Sequence, residues 1–321
     1  MSIGEFALID RFFRALGAAR ADVALGVGDD AALLRVPEGA ELVAATDTLV
    51  GGVHFPPQST PASIGHRALA VNLSDLAAMG ARPAWALLAL TLPQADEAWL
   101  SEFAAGFEAL AHKYGVALVG GDTTHGPLCV TVTLLGLVPR GTALTRSGGR
   151  AGDALFVSGT PGDAAAGLAI EQGTLSAAAE ARAYLRARFA LPSPRIALGE
   201  RLRGIASACI DVSDGLLGDA GKLAAASGAG VEISFDAVPV SEPLVKTVGA
   251  ERARELALSG GDDYELCFAV AAGNVTALTQ QLPPELWGYA RIGELRATPG
   301  AAVVRDGSVM QFSHSGYQHF G

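Results

Sequence analysis

Two adjacent carboxylates sit on a glycine turn in the segment GVGDDAA, residues 26–32, directly after an apolar run. Three other apolar runs of strand-like composition also end in aspartate: LVAATD at 42–47, VALVGGD at 116–122 and ACIDVSD at 208–214. Ligand sites in α/β folds gather where strands end, so we expect these runs to bring their carboxylates into one cleft. The carboxylates concerned are Asp29, Asp30, Asp47, Asp122, Asp211 and Asp214.

So many carboxylates in one cleft need positive charge between them. Like charges a few ångströms apart raise one another's pKa or recruit cations, and oxygen-only ligand sets suit hard ions such as Mg²⁺. Sites that hold several metal ions typically handle phosphate chemistry. The sequence therefore predicts a site with several Mg²⁺ ions that acts on phosphate groups.

Length and composition favour two domains. At 321 residues, half of them hydrophobic, the chain exceeds the size at which a single core stops growing. Residues 139–153 are poor in apolar residues and rich in glycine, which places the boundary there, with one domain over 1–149 and another over 150–321. Strand-like and helix-like segments alternate in the second half, and this alternation predicts an α/β fold.

Charge and cysteine usage exclude several classes of protein. The net charge of −10 and the pI near 5.1 disfavour nucleic-acid binding, which needs clustered Lys and Arg. Cys129, Cys209 and Cys267 lie far apart in apolar runs, so we expect three buried, reduced thiols. No run reaches the ~20 apolar residues of a membrane span, and the acidic N-terminus does not resemble a signal peptide. These features predict a soluble cytoplasmic protein.

Hydrophobic periodicity and capping residues predict the main elements. Helices are expected over about 4–17, from Ser59 or Thr60 to Met79, and from Asp96 to Tyr114. On the second of these, Asn72 and Asp75 stand three residues apart and share a face. The other predictions are strands at 84–92, 116–119, 128–138, 154–157, 208–210, 231–235 and 264–270, helices within 162–202, 216–226 and 274–282, and a hairpin at Asp306-Gly307.

The same glycine turn also matches a dinucleotide-binding pattern. GVGDDA at 26–31 fits G-x-G-x-x-G/A, and Asp47 lies about twenty residues further on. We reject this interpretation, because a pyrophosphate binds bare backbone N–H groups at such a turn, and Asp29 and Asp30 would place two negative charges beside it. A Walker A loop is missing as well, since Gly221-Lys222 is followed by Leu223 and lacks the upstream glycine. Any ATP site therefore belongs to a less common nucleotide fold.

Single site residues also have ordinary structural explanations. Aspartate beside glycine is commonly a turn or helix-capping residue. Arg146, in the segment TRSGG, is either the cation of an interdomain loop or a solvated surface arginine. His54 follows a glycine pair that would let a substrate approach the backbone, and a structural histidine fits the local sequence equally well. It is the joint pattern of acids that favours a functional site.

Taken together, these segments resemble the thiamine-monophosphate kinase family, part of an ATP-binding superfamily that also contains aminoimidazole ribonucleotide synthetase. The resemblance spans the chain. The segments that carry it are GEF at 4–6, VGDDAA at 27–32, ATDTLVGGVHF at 45–55, NLSDLAAMGARP at 72–83, VGGDTT at 119–124, TRSGGRAGD at 145–153, DVSDGL at 211–216, SGGDDYEL at 259–266 and SGY at 315–317. The paired aspartates and the DLAAMGA helix mark the superfamily, while GVHF, DYEL and the terminal aromatic point to the kinase family.

The resemblance implies a fold, an activity and roles for individual residues. It implies an α+β N-terminal domain whose sheets join across a two-fold axis to form a homodimer, an α/β C-terminal domain, a cleft between the domains, and no P-loop. It implies several Mg²⁺ ions held by Asp29, Asp30, Thr46, Asp47, Asp75, Asp122, Asp211 and Asp214. It implies contacts to ATP from Gly121, Asp122, Arg146 and Ser213, contacts to thiamine monophosphate from His54, Asp262 and Tyr317, and catalytic roles for Asp30, Asp122, Arg146 and Asp214.

The chemistry implied is direct in-line transfer of the γ-phosphate of ATP to a phosphate monoester. The second pKa of a monoester is about 6, so the acceptor is largely a dianion at neutral pH and needs no general base. Mg²⁺ and Arg146 would stabilise the charge that spreads over the transferred group. Asp262 would balance the cationic thiazolium, and Tyr317 would offer it a stacking face.

Two departures from the family pattern and two alternatives accompany this interpretation. Gly51 stands where an acidic residue is expected, and Asp262 stands where the family usually has Glu. One alternative is a synthetase or dehydratase of the same superfamily, which acts through a transient phosphate intermediate and would be expected to carry a Cys or Lys nucleophile in a terminal tail. The other is a non-catalytic Mg²⁺- or Ca²⁺-binding protein, which would have no need of Arg146.

Overall fold

The computed structural model describes residues 4–312 and 316–317. Its contacts divide the chain into two compact units, each built on its own sheet. One unit runs through Leu76 and resumes over Ala81–Gly141, and the other comprises Ala77–Gly80 and the chain from Thr142 onward. Among the described residues, no helix combines the length and the apolar character needed to cross a bilayer.

The first unit is a mixed sheet with helices. Its elements are α1 (Glu5–Phe12), β1 (Val23–Leu25), β2 (Leu33–Leu34), β3 (Ala40–Val50), α2 (Pro61–Ala78), β4 (Arg82–Leu92), α3 (Glu97–Tyr114), β5 (Ala117–His125) and β6 (Cys129–Pro139). The main sheet has the order β3-β6-β4-β5, in which β4 and β5 are parallel and the other pairs are antiparallel. β1 and β2 pair separately as a short antiparallel ribbon.

The two faces of this sheet differ in burial. On β6, Val130, Val132 and Leu134 are fully buried, and α2 packs on the same face at Gly136, where a Cβ would lie 2.5 Å from a methyl group of Leu76. Residues that alternate with these point to the opposite face. There Leu42 and Leu87 keep 49% and 37% of their surface exposed, so this open face carries apolar residues at these positions, whereas Leu137 on the same face is buried in a cluster with residues of the β1–β2 ribbon.

α2 and α3 approach each other backbone to backbone. A Cβ at Gly65 would lie 2.1 Å from the carbonyl oxygen of Phe103, and one at Gly106 would lie 1.9 Å from that of Ala62. Only glycine fits at these two positions. The crossing therefore fixes α2, which carries Asp75, against α3.

The second unit is built on a larger sheet. Its elements are β7 (Ala154–Ser158), α4 (Asp163–Glu171), α5 (Ala179–Ala190), α6 (Ile196–Leu202), β8 (Ala208–Val212), α7 (Leu216–Ala226), β9 (Gly230–Ser234), α8 (Glu242–Val248), α9 (Ala250–Ser259), β10 (Glu265–Val270), α10 (Val275–Gln281), α11 (Pro284–Trp287), β11 (Tyr289–Arg296), β12 (Gly300–Arg305) and β13 (Ser308–Met310). Over the described residues the strand order is β13-β12-β9-β11-β7-β10-β8, with β9 and β12 parallel and the other pairs antiparallel.

The core of this unit holds α7 against the sheet. Leu216 and Leu223 of α7 are fully buried in one cluster with Ile210 of β8 and Ile233 of β9. Full burial of such a side chain contributes about 1.5–3 kcal/mol. This packing sets the position of the turn that joins β8 to α7, where the site residues of this unit lie.

Several predicted helix and hairpin boundaries agree with the structure. Asp96 caps α3 by accepting hydrogen bonds from the N–H groups of its first turn, and Gly115 closes the helix with φ at 66°. Thr60 accepts a hydrogen bond from the N–H of Ser63 at 3.2 Å at the start of α2. Asp306 and Gly307, with φ of 49° and 75°, form the predicted hairpin between β12 and β13.

Other predictions need correction. α1 ends at Phe12 rather than near 17, because the N–H groups of Phe13 and Arg14 both bond to the carbonyl of Ile9 and close the helix. β11 was not predicted, since its glycine interrupts the alternating pattern; a Cβ at Gly293 would lie 2.0 Å from a carbonyl of β9. β3 and β5 continue past their aspartates, so Asp47 and Asp122 lie within strands and not at strand ends.

Candidate active site

The glycine turn after β1 presents its two carboxylates at the surface of the first unit. Gly28 has φ at 119°, a region that favours glycine, and a Cβ there would lie 2.9 Å from a guanidinium nitrogen of Arg14. Asp29 accepts a hydrogen bond from the N–H of Asp30 at 2.9 Å. Both aspartates are exposed, so their carboxylate oxygens are available to a ligand.

A groove of about 1070 Å³ gathers Asp29, Asp30 and Asp122 in this unit. Gly121 also lines it, and a Cβ at Gly121 would lie 1.8 Å from the carbonyl oxygen of Leu88, so only glycine fits there. The volume is at the upper end of the range for ligand pockets. Other residues of its wall include Ile9, Phe13, Arg14, Leu34, Leu87 and Leu118. Sequence reasoning missed Arg14, a cation beside these acids, because nothing in its local pattern distinguishes it.

A second group forms where α2 meets the sheet. Burial raises the pKa of Asp47, and a hydrogen bond with Asp75 and the nearby charge of His54 only partly offset this effect. Two carboxylates joined by a hydrogen bond share a proton. The ring of His54 is oriented by the N–H of Val50, which donates to its Nδ1 at 2.9 Å.

The sheet separates these two groups. Asp47 lies opposite the buried Val132, on the face that α2 covers, whereas Asp122 lies opposite Ala89, which shares the open face with Leu87. β3 and β5 are the two edges of the four-stranded sheet, about 14 Å apart at the usual strand spacing. Strand alternation by itself therefore places Asp47 and Asp122 on opposite faces of this sheet.

Thr46, predicted as a metal ligand, points away from Asp47. Its Oγ1 lies 2.9 Å from Oγ1 of Thr133 across the β3–β6 pair, on the open face. Adjacent residues of a strand point to opposite faces. The hydroxyl of Thr46 therefore does not join the pair formed by Asp47 and Asp75.

The donor chemistry of both groups suits a hard cation. A divalent ion in place of the shared proton would neutralise Asp47 and Asp75 together. Asn72, fully buried one turn before Asp75, has an Oδ1 without a hydrogen-bond partner among the described residues. Over residues 4–312 and 316–317, no three His, Cys, Asp or Glu side chains are close enough to hold a metal by themselves. Mg²⁺ commonly completes its shell with water and substrate phosphate oxygens, so the residues present fit that ion.

In the second unit, the turn after β8 is fixed by one buried carboxylate. Oδ2 of Asp219 accepts hydrogen bonds from the N–H groups of Ser213, Asp214 and Gly215 at 3.0, 3.0 and 3.3 Å. Asp219 is 1% exposed, and Asp211 on β8 is 5% exposed. Sequence reasoning missed Asp219, although an acid in the first turn of a helix is a recognised sign of this kind of capping.

Two further motifs reach the same turn through backbone hydrogen bonds. The N–H of Asp262 donates to the carbonyl of Ser213 at 2.8 Å, and that of Tyr317 donates to the carbonyl of Asp214 at 2.9 Å. Tyr317 is 52% exposed; Ser315, two residues before it in the SGY segment, lies outside the described residues. The structure thus brings together residues predicted separately as contacts to metal, ATP and substrate.

The segment that carries Asp262 is held in an unusual backbone conformation. Asp262 and Tyr264 have φ of 73° and 52°, which few residues other than glycine adopt. Between them, the buried carboxylate of Asp263 accepts hydrogen bonds from the N–H groups of Gly162 and Ala164 at 2.7 and 3.2 Å. The hydroxyl of Tyr264 donates to Oδ1 of Asp262 at 3.2 Å, which orients that carboxylate.

Lys222 is a cation beside these acids that sequence reasoning did not assign. Its Nζ lies 2.5 Å from Oδ2 of Asp214 and 2.9 Å from Oδ1 of Asp219. Partial burial would lower the pKa of Lys222, but the hydrogen bonds to the two carboxylates outweigh burial and raise it.

Arg146 lies in the glycine-rich segment that leads into this unit. Its side chain is exposed, and its carbonyl accepts a hydrogen bond from the hydroxyl of Ser227 at 2.9 Å. The carbonyl of Thr145 accepts one from the N–H of Cys209 on β8 at 2.8 Å. Arg146 is therefore anchored beside β8 through its backbone, with the guanidinium available to a ligand.

The two halves of the chain match the two domains of one family. Residues 28–138 match the AIR synthase related protein N-terminal domain, and residues 150–306 match the C-terminal domain. The thiamine-monophosphate kinase of Salmonella typhimurium is 49% identical over 322 residues, covering 100% of this chain and 99% of that protein. The thiamine-monophosphate kinase of Bacillus subtilis is 36% identical, covering 93% of this chain and 94% of that protein.

Comparison with solved structures indicates the same family. The crystal structure of thiamine-monophosphate kinase from Stenotrophomonas maltophilia has a TM-score of 0.85 at 47% identity, covering 97% of this chain and 99% of that one. The structure of AaThiL complexed with AMPPCP and TMP has a TM-score of 0.78 at 31% identity, covering 100% of this chain and 99% of that one.

Proposed function

Because the chain belongs to the thiamine-monophosphate kinase family, its activity is the ATP-dependent phosphorylation of thiamine monophosphate, and we propose that the γ-phosphate is transferred directly, with Mg²⁺ held by aspartates. The observation that carries this proposal is the meeting of three motifs at the turn after β8. Asp214 and Ser213 form the turn, and Asp262 and Tyr317 bond to its carbonyl groups. The turn that we assign to ATP and metal binding is thus hydrogen-bonded to the two residues that we assign to substrate binding.

The aspartates are assigned as Mg²⁺ ligands in three groups. When bound there, Mg²⁺ would neutralise phosphate charge and stabilise the charge that develops during transfer. Gly121 allows a phosphate to approach the backbone closely beside Asp122, and the exposed guanidinium of Arg146 suits a phosphate oxygen. The groups are Asp29, Asp30 and Asp122; Asp47 and Asp75; and Asp211 and Asp214.

The substrate-side residues suit a cationic ring that carries a phosphate. Asp262 supplies a negative charge, and the hydroxyl of Tyr264 fixes its direction. Tyr317 offers an exposed aromatic face to the thiazolium. The acceptor phosphate is already largely a dianion at neutral pH, with a second pKa of about 6, so the chain need not supply a general base.

The cysteines do not favour a route through a covalent phosphate intermediate. Burial raises the pKa of Cys209 and of Cys267, so both thiols stay protonated and shielded. Cys129 is only partly buried, which corrects the prediction of three buried thiols. Direct transfer needs no nucleophile from the protein and therefore agrees with these positions.

A coupled assay tests the proposed function. ATP consumption is measured with thiamine monophosphate, thiamine or an aminoimidazole precursor as the acceptor, and the products are identified by chromatography. We expect turnover with thiamine monophosphate alone, giving thiamine diphosphate and ADP in equal amounts. Turnover with either other acceptor, or none with thiamine monophosphate, would contradict the proposal.

Replacing Asp262 with Asn should weaken substrate binding selectively. An ion pair in a partly solvated site contributes about 1 kcal/mol, so the KM for thiamine monophosphate should rise about fivefold to tenfold. The KM for ATP and the melting temperature should not change, since Asn tolerates the left-handed backbone at this position. Asp262→Glu, which keeps the charge, should have the mildest kinetic effect.

Asp306 provides a matched control. It has the same residue type and a similar φ of 49°, in the β12–β13 hairpin. Asp306→Asn should leave both KM values unchanged. If Asp262→Asn proves harmless and Asp262→Glu damaging, the role of Asp262 is to hold the local backbone conformation, and Asp262 is not a substrate contact.

We also propose that two copies of this chain associate through the open face of the first sheet. Leu42 and Leu87 are partly exposed there, and apolar side chains on an exposed face of a sheet would gain from burial between two copies. Sedimentation velocity should show a dimer, and Leu42→Lys with Leu87→Lys should shift it toward monomer. Leu286→Lys, at a position 78% exposed in the second unit, is the control and should leave the dimer intact. A monomeric unsubstituted protein would contradict this proposal.

A further inference from the structure

Lys222 reaches the turn after β8 from within α7. Helical side chains lean toward the N-terminus of their helix, so a lysine in the second turn of α7 extends back to the helix start. Its ammonium sits between two carboxylates, 2.5 Å from Oδ2 of Asp214 and 2.9 Å from Oδ1 of Asp219. It therefore contacts an oxygen that the proposed function assigns to a metal ion.

The two carboxylates differ in how much they depend on this lysine. Asp219 is 2% exposed in its side chain and already accepts three backbone N–H groups through Oδ2. It also lies in the first turn of α7, where the helix dipole favours negative charge. Asp214 is 37% exposed, and the side-chain partner that the structure gives it is Lys222. Asp214 is thus the acid whose charge Lys222 chiefly balances.

A divalent cation and the ammonium cannot both occupy the position beside Oδ2 of Asp214. Each needs the same lone pairs, and two positive charges at that separation repel. Lys222 is 48% exposed, so its flexible stem can carry the ammonium into solvent when another cation arrives. When the ammonium leaves the carboxylate, water hydrates it again. This hydration offsets part of the lost ion pair, so the exchange is reversible.

We propose that Lys222 is a built-in counter-ion for Asp214, which a divalent cation displaces, and that this exchange sets the affinity of the site for Mg²⁺. The inference rests on the proposed function, which makes Asp214 a metal ligand. Without metal, Lys222 balances the charge of Asp214. When a metal ion binds, Lys222 is released from Asp214. Breaking this ion pair makes the free energy of metal binding less favourable.

Replacing Lys222 with Met should therefore tighten divalent-cation binding. Mn²⁺ serves as the probe in the full-length, nucleotide-free protein, with free Mn²⁺ followed by electron paramagnetic resonance and Mg²⁺ affinity obtained by displacement. The Kd should fall about fivefold, as expected for loss of one partly exposed ion pair. The melting temperature in EDTA should fall slightly, and its rise on adding Mg²⁺ should be larger than in the unsubstituted protein.

Three further variants isolate the effect. Lys222→Arg keeps the charge and should retain the original Kd. Lys246→Met removes an exposed lysine that pairs with Glu242 at 2.6 Å on α8, and it should change neither the Kd nor the response to Mg²⁺. Asp214→Asn should weaken Mn²⁺ binding at the class of site that Lys222→Met strengthens.

The outcomes separate this inference from the proposed function. An unchanged or raised Kd in Lys222→Met, together with weakened binding in Asp214→Asn, would overturn the exchange and leave Asp214 as a ligand. Unchanged binding in Asp214→Asn would remove Asp214 from the metal site and overturn both. A tighter Kd in Lys222→Arg as well would show that packing, and not charge, is responsible, which also overturns the exchange.

Discussion

Asp75→Asn is expected to abolish phosphoryl transfer without unfolding the protein. Asp75 shares a hydrogen bond with the buried Asp47, and a divalent cation there would interact with both charges. Loss of one ligand should cost several kcal/mol of transition-state stabilisation, which lowers kcat about a hundredfold or more. The melting temperature should stay the same or rise, because Asn can donate an N–H to Asp47 without the proton that two carboxyl groups must share.

The measurements are kcat at saturating Mg²⁺, Mn²⁺ binding and thermal unfolding. Asp96→Asn is the matched control in the same unit, since Asn caps a helix as well as Asp does and Asp96 only caps α3. It should change none of the three quantities. Normal turnover in Asp75→Asn would exclude Asp75 from the metal site, and a large loss of stability would show a structural role instead.

The second large effect is expected at a buried charge cluster behind the substrate-side segment. Glu265 is fully buried on β10, next to Tyr264. Its carboxylate accepts hydrogen bonds from Arg188 at 2.8 Å, from two nitrogens of Arg195 at 2.5 and 2.6 Å, and from Ser158 at 2.5 Å. Burial by itself would raise the pKa of Glu265, but Arg195, Arg188 and Ser158 outweigh it and hold the pKa below its usual range.

Glu265→Gln should destabilise the protein by about 3–5 kcal/mol, because it removes the buried carboxylate that pairs with Arg195 and Arg188 and leaves Arg188 only its longer ion pair with Asp163 at 3.6 Å. Urea unfolding at neutral pH measures the difference. Glu242→Gln, in the exposed pair with Lys246, is the control and should not move the midpoint, since exposed pairs contribute little. An equal effect of the two substitutions would contradict the argument.

The same cluster predicts a pH dependence. A carboxylate whose pKa is depressed in the folded state stabilises the protein above its unfolded pKa, and this contribution is lost as the pH falls through the folded value. The difference in unfolding free energy between the unsubstituted protein and Glu265→Gln should therefore be constant near neutral pH and shrink below about pH 4. A difference that grows in acid would assign the stabilisation to another group.

Local sequence signals were sufficient for the elements that local interactions define. The caps at Asp96 and Thr60 and the turn at Asp306-Gly307 depend on residues a few positions apart, and the structure has them where the sequence predicts. The resemblance to the family indicated relationships between distant residues, which hydrophobic periodicity cannot show. It related Ser213 to Asp262 and Tyr317, which lie far apart in the chain and are connected to the same turn by backbone hydrogen bonds.

Non-local geometry explains the failures. The sequence shows that apolar runs contain Asp47 and Asp122, but not that the strands continue beyond them. Once a strand continues, its period of two residues decides the face on which each acid lies, and pairing across the sheet decides the distance. The reach of Lys222 to Asp214, eight residues back, depends on the direction of α7 and likewise has no signature in composition or spacing.

The strand order of the first unit has a consequence for protein synthesis. β6 is the last strand of that unit in the chain, yet it lies between β3 and β4, with register from Ala40–Pro139 to Val50–Cys129. A ribosome therefore delivers β3 and β4 well before the strand that joins them. Pairings that link distant parts of a chain form slowly and leave unpaired edges exposed to aggregation. A nascent chain that has not reached Pro139 cannot complete this sheet, so the folding of the unit waits for translation of its final strand.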